Sequence, residues 1–210
     1  MCGRITLLTY DELEEVLAAV EARRRGGVRV TARDGRTQAR PGSVVHAIAP
    51  GENGLAISPF IWGFTFPNSK KLIFNTRIES ALGGTRMWAG PIRDGRCVLP
   101  AATFFEPHGS ETATSPRTGR AMKRQYEFAS PDGEPLLLAG VHDGERLSVI
   151  TTEPNASVAP IHPRMPLALR FEEVPTWLGD NYASLADRSR FELTAHPEDD
   201  ASALPQLSLF

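Results

Sequence analysis

Cysteine is scarce in this sequence: Cys2 and Cys97 are the only two among 210 residues. Two thiols so far apart build no disulfide framework, and neither stands at a metal-ligand spacing. Long apolar runs are lacking too, and none approaches the roughly 20 residues a membrane-spanning helix needs. The opening residues, MCGRITLLTY, lack the basic-then-apolar build of a secretory signal. The expectation is therefore a cytoplasmic protein with no membrane, metal or cofactor requirement. Internal repeats are absent, and the one biased stretch is the acidic segment 196–200.

What the sequence does have is glycine and proline, 18 and 17 residues, which favours many loops and short elements. The net charge of −2 conceals a split. Residues 1–100 carry 14 basic and 9 acidic side chains, whereas residues 101–210 carry 9 and 16. Such a split allows an anionic partner on one face of a protein that is not basic as a whole.

Residues 9–25 read as an amphipathic helix. Thr9 and Glu12 form a capping box, and Leu13, Val16, Leu17 and Val20 fall on one apolar stripe. Arg23, Arg24 and Arg25 suit the negative end of the helix dipole, and Gly26 is the expected stop. Short β-branched or aromatic segments follow at 44–49, 55–64, 97–105, 123–129, 135–141 and 146–152, punctuated by turns such as Pro131-Asp132-Gly133. Further helices are expected at 78–88 and 172–178. The reading is one α+β domain over residues 1–210, with a curved, largely antiparallel sheet.

Four segments carry side chains capable of chemistry. Cys2 is the first: a small second residue allows the initiator methionine to be removed, leaving an α-amine and a thiol on adjacent carbons. Their ordinary pKa values, about 7.7–8.0 and about 8.5, provide reactive forms near neutrality. Such a pair condenses with an aldehyde to an imine and closes a five-membered thiazolidine, an intramolecular step. Second is Phe74-Asn75-Thr76-Arg77-Ile78-Glu79, where Arg77 is a fork for an anion, although Asn75 or Thr76 equally suits an ordinary helix cap. Third is the apolar run from Arg96 to Glu106. Ending such a strand at the rim of a core gives Glu106 the setting of a general acid, or marks where the strand reaches water. Cys97, inside the run, reads as a buried structural thiol. Fourth is Ile161-His162-Pro163-Arg164-Met165-Pro166, a rigid proline loop around a proton carrier that also suits a purely structural histidine.

Taken together and in order, these segments resemble the SRAP family (SOS-response-associated peptidases, abasic-site DNA–protein crosslinking proteins). The matching pieces are MCGR at 1–4, Trp62-Gly63, Asn75 to Glu79, Arg96 to Pro100 running to Phe105-Glu106, Ala139-Gly140-Val141, Ile150-Thr151-Thr152 and Ile161 to Pro166. They reach from residue 1 to about residue 170. The resemblance implies an α+β fold with a barrel-like sheet and a covalent thiazolidine crosslink between mature Cys2 and abasic single-stranded DNA. It further implies that Asn75 orients the amine, Glu106 shuttles protons during sugar-ring opening, and His162 assists imine formation and ring closure. By the same route Arg4, Arg77, Arg86 and Arg164 hold phosphates, and Met87 packs near bases. The implied protein is a monomer without cofactor, nucleoid-associated when bound, with thiol autopeptidase activity on the same nucleophile.

The sequence departs from the family pattern in three places. Pro107 follows the glutamate where the family has tryptophan. The loop Phe66-Pro67-Asn68-Ser69-Lys70-Lys71 offers few stacking surfaces, and Thr37-Gln38-Ala39-Arg40-Pro41-Gly42 replaces a Tyr-Asn-x-Ala-Pro-Gly stretch. The alternatives are an N-terminal-nucleophile amidohydrolase of the glutamine amidotransferase type and a passive single-strand-binding module. The first typically has an aliphatic residue where this chain has Arg4 and needs an oxyanion hole. The second forms no crosslink.

Overall fold

The helix expected at 9–25 is α1 (Tyr10–Glu21) in the computed structural model, which describes residues 2–30, 36–65, 71–115 and 118–199. The loop at 66–70 and Met1 lie outside these. Thr9 Oγ1 accepts from the Glu12 N–H at 3.3 Å, and Glu12 Oε2 accepts from the Thr9 N–H at 2.9 Å, so two donors at the helix start are satisfied reciprocally. Leu13, Val16 and Val20 are buried beneath it. The exit differs from expectation. Gly26 does not stop the helix, because Arg23 itself takes the left-handed conformation with φ 52°. The Arg23 N–H then donates to Val20 O and the Arg24 N–H to Ala19 O, each at 3.0 Å, the double closure of a Schellman turn. The three arginines thus lie just past the helix, not in its last turn.

Strand β1 (Ile5–Thr6) precedes α1. After it come β2 (Gln38–Ala39), the hairpin of β3 (Val44–Gly51) and β4 (Gly54–Trp62), the pair β5 (Phe64–Thr65) and β6 (Leu72–Ile73), and β7 (Asn75–Arg77). The single helix expected at 78–88 is two, α2 (Ile78–Leu82) and α3 (Arg86–Asp94). Gly83 caps the first, and Gly84 turns the chain with φ 70°, a conformation that costs glycine little. Next are β8 (Arg96–Ala101), β9 (Thr103–Thr114), β10 (Ala121–Ala129), β11 (Leu136–His142) and β12 (Arg146–Thr152). Short strands β13 (Met165–Pro166) and β14 (Ala168–Leu169), a 3₁₀ turn at 171–173 leading into α4 (Val174–Leu178), a second 3₁₀ turn (Tyr182–Leu185) and β15 (Thr194–Pro197) complete the described elements.

The expected strand at 97–105 breaks at Ala102, whose N–H donates to Thr6 O at 2.8 Å. There the chain leaves one sheet for another. β8 pairs with β3 and β11, whereas β9 pairs with β1 and β10. The first sheet curves until β12 pairs with both β4 and β11, so β12, β4, β3, β8 and β11 close a ring. Pairing is antiparallel except where β12 runs parallel to β4 and β7. The second sheet, ordered β15-β10-β9-β1-β2, is antiparallel throughout.

Alternate positions of the ring strands feed two apolar clusters, as the period of two requires. Ile48, Val98, Leu137, Ala139 and Ile150 pack with Val16 and Val20 of α1 and with Ile78, Trp88 and Trp177 of the other helices. Val45, Ala47, Cys97, Leu99, Leu138 and Val149 pack with Ile5, Phe104 and Phe128 of the second sheet. Cys97 is fully buried, as expected of a structural thiol. The architecture is α+β with a curved sheet core. No helix among the described residues is long and apolar enough to cross a membrane.

Candidate active site around Cys2

Cys2 belongs to the second cluster and is fully buried against it. Its Sγ donates to Arg4 O at 3.7 Å. Burial, reinforced by the negative charge of Glu106, pushes the thiol well above its ordinary range, so at neutral pH it rests protonated. The Asn75 amide donates through Nδ2 to Cys2 O at 2.8 Å. Asn75 is itself buried, and among the described residues its Oδ1 has no hydrogen-bond partner. A buried acceptor left open beside the residue that becomes the amino terminus suits a new N–H donor.

The strand does not end at Glu106. β9 runs on to Thr114, and Glu106 sits within it, fully buried, beside Phe104 in the alternation that faces Cys2. The expectation that the strand reaches water at this residue is corrected: residues 103–106 are all buried, and β9 becomes half-buried or exposed only beyond them. Burial pushes the Glu106 carboxyl up to about 7, where one group serves as both acid and base.

His162 comes from the loop between β12 and β13. The loop is pinned by the Gly109 N–H donating to Ile161 O at 2.9 Å and the His162 N–H donating to Val158 O at 2.9 Å. His162 Nδ1 lies 2.7 Å from Arg164 O, so it carries the proton and donates there. Its Nε2 then faces Glu106 Oε2 at 3.8 Å. That separation exceeds a hydrogen bond, and burial lowers the imidazole pKa while raising that of the carboxyl. The pair therefore approaches neutrality with one mobile proton and not as a fixed ion pair.

The fold thus gathers Cys2, Asn75, Glu106 and His162 from the amino terminus, β7, β9 and a loop. The arginines are distributed differently. Arg77 is exposed on β7, two residues from Asn75 and hence on the same strand face. Arg164 is held by Glu79, with Nη1 and Nη2 donating to its two carboxylate oxygens at 3.0 and 2.9 Å, and Nη2 also donates to Thr151 O at 2.8 Å. Arg4 stacks 3.8 Å over the Phe105 ring and makes a two-pronged pair with Glu198 at 2.6 and 2.7 Å. Phe105, over which it lies, leaves β9 on the face opposite Phe104. Arg86 opens α3, and Met87 packs against the helix-side cluster, which Cys2 does not join. Sequence reasoning assigned no role to Glu79 or Glu198. Glu79 lies within a segment it singled out, but nothing local reveals that Arg4 meets a residue near the other end of the chain.

One family model and several known proteins are similar to this chain. The family model described as SOS response associated peptidase (SRAP) matches residues 1–205. "Abasic site processing protein YoqW" of Bacillus subtilis (strain 168) is 26% identical over 225 residues, covering 100% of this chain and 93% of the relative. "Abasic site processing protein YoaM" of the same organism is 26% identical over 234 residues, covering 100% and 92%. A crystal structure of a Bordetella bronchiseptica protein superposes with a TM-score of 0.68 at 19% identity, covering 93% of this chain and 99% of that one. One from Bacteroides thetaiotaomicron gives 0.67 at 19% identity, covering 93% and 91%. These two likenesses establish the fold.

Proposed function

The chain belongs to the SOS response associated peptidase (SRAP) family, and from that premise we propose that it captures abasic sites in single-stranded DNA covalently on Cys2. The observation that carries this reading is the open Asn75 Oδ1 beside Cys2, with Glu106 and His162 on the same site. The names of the Bacillus relatives, which describe processing of abasic sites, supply the substrate class.

In the proposed sequence, hydrolysis of the Met1–Cys2 bond frees the Cys2 amine, which donates to Asn75 Oδ1. An abasic deoxyribose is mostly a closed ring. Glu106 takes the proton of the anomeric hydroxyl as carboxylate and returns a proton to the ring oxygen, releasing the C1′ aldehyde. The amine attacks that carbon, and the carbinolamine loses its hydroxyl as water to form an imine, with His162 and Glu106 passing the proton. The thiol then adds across the C=N bond: sulfur bonds to carbon and the thiol proton ends on nitrogen. The balance is aldehyde plus aminothiol giving thiazolidine plus water, without oxidant or reductant. Because burial keeps the thiol protonated, the last step needs a base, and His162 takes that part.

Arg77, exposed on the Asn75 face of β7, is the first phosphate contact in this reading. Arg4 and Arg164 would have to exchange Glu198 and Glu79 for phosphate oxygens, while Arg86 and Met87 remain DNA contacts on the family's pattern alone. Autopeptidase removal of a short leading extension would use the same Cys2 nucleophile. The test is a denaturing gel of mature protein incubated with an abasic single strand. A covalent band is expected with the parent and none with Cys2→Ser. No band in either case contradicts the reading, and release of ammonia from glutamine would favour the amidohydrolase alternative.

A further inference from the structure

Two contacts of the His162 ring converge on Arg164. Pro163 stands between the two residues and fixes the local backbone. The imidazole Nδ1 closes back on Arg164 O at 2.7 Å, and the Arg164 N–H lies 3.2 Å from the same nitrogen. A single ring nitrogen cannot donate and accept at once, so where Arg164 sits decides which tautomer His162 adopts. Donation from Nδ1 to the carbonyl leaves Nε2 as an acceptor turned toward Glu106. Acceptance from the N–H would place the proton on Nε2 and remove that acceptor.

The Arg164 side chain is mostly buried, 14% exposed, and among the described residues its Nε has no partner. Three hydrogen bonds hold the guanidinium, one to Thr151 O and two to Glu79, which stands in the first turn of α2. Isolated surface ion pairs contribute little, but a two-pronged bond to a buried arginine fixes direction as well as distance. We infer that Glu79 is a positioning residue: it holds Arg164 so that the Arg164 carbonyl keeps His162 in the tautomer whose Nε2 serves Glu106. While it is paired with Glu79, Arg164 is thereby part of the support for the proton relay. The kinetic consequence rests on the abasic-site reading, whereas the structural consequence does not.

The test uses the mature, ¹⁵N-labelled protein and its Glu79→Ala variant, an exposed helix position where alanine is well tolerated. Imidazole nitrogen shifts report the His162 tautomer, single-turnover rates on an abasic strand report chemistry, and a non-reactive tetrahydrofuran abasic strand reports affinity. The parent is expected to show the Nδ1–H tautomer. Glu79→Ala should show a mixture, lose roughly tenfold in saturated rate, and keep its Kd within about twofold. Glu79→Gln, which retains one acceptor, should fall between the two. An unchanged tautomer and rate would overturn the inference. So would a change in Kd at constant rate, which would return Arg164 to phosphate binding. If neither protein reacts with abasic DNA, the abasic-site reading fails, and the tautomer comparison still decides whether Glu79 positions His162.

Discussion

At Glu106 a carboxyl group with no exposure has a pKa near 7 against an ordinary value of 4.5. Folding therefore takes up a proton between those values. The associated stability is full below about pH 4.5 and is lost as pH rises through about 7, on the order of 3 kcal/mol in all. Glu106→Gln, neutral at every pH, should unfold at higher urea than the parent at pH 8 and converge toward it at pH 5. A constant difference across that range would contradict the placement of the titrating proton. In the proposed chemistry the same substitution should slow crosslinking by about 10²-fold or more at saturating protein, with DNA affinity little changed. Parent-like single-turnover rates would remove Glu106 from its role. Cys2→Ala keeps the amine and loses the ring-closing atom, so it should give an adduct only when borohydride is added. A stable adduct without reductant would contradict thiazolidine closure.

Among the elements, α1 was readable because its signals are local. Thr9, Glu12 and the stripe of Leu13, Val16 and Val20 lie within three turns. Thr9→Ala should cost about 1 kcal/mol in urea unfolding. Glu12 is also bound by Arg36 at 2.5 and 2.6 Å, which is the main cause holding its carboxyl down at about 2. Its contribution is present above about pH 4.5 and lost as pH falls through about 2, so Glu12→Gln should close much of its stability gap to the parent near pH 2. A gap that stays constant from pH 5 to pH 2 would contradict the pairing. The helix exit was not readable, because the choice of Arg23 over Gly26 depends on where the last turn closes. Nor was the break at Ala102, because β8 and β9 form one apolar run in sequence and divide only where Thr6 claims the Ala102 N–H. That division is what buries Glu106. The number of chemistry-bearing segments was legible in composition and motif, and their convergence was not.

Across the whole molecule, the basic first half and acidic second half do not remain apart. Arg4 from one meets Glu198 from the other at 2.6 Å. Charge read along the chain therefore overstates the cation available to a polyanion, while Arg77 remains exposed beside the site. A buried nucleophile also favours a substrate whose backbone is not locked in a duplex, where unpairing costs a few kcal/mol. Abasic single strands should react at least tenfold faster than abasic duplexes at matched salt, and equal rates would count against the proposed site.

The central claim is that one residue supplies both atoms that capture the aldehyde. Its most direct measurement is intact mass followed by peptide mapping of the mature protein after incubation with a short abasic single strand. The account predicts one adduct, equal to protein plus oligonucleotide less one water, stable without reductant and confined to the peptide Cys2-Gly3-Arg4. An adduct on a lysine, or equal capture by protein that retains Met1, would contradict it.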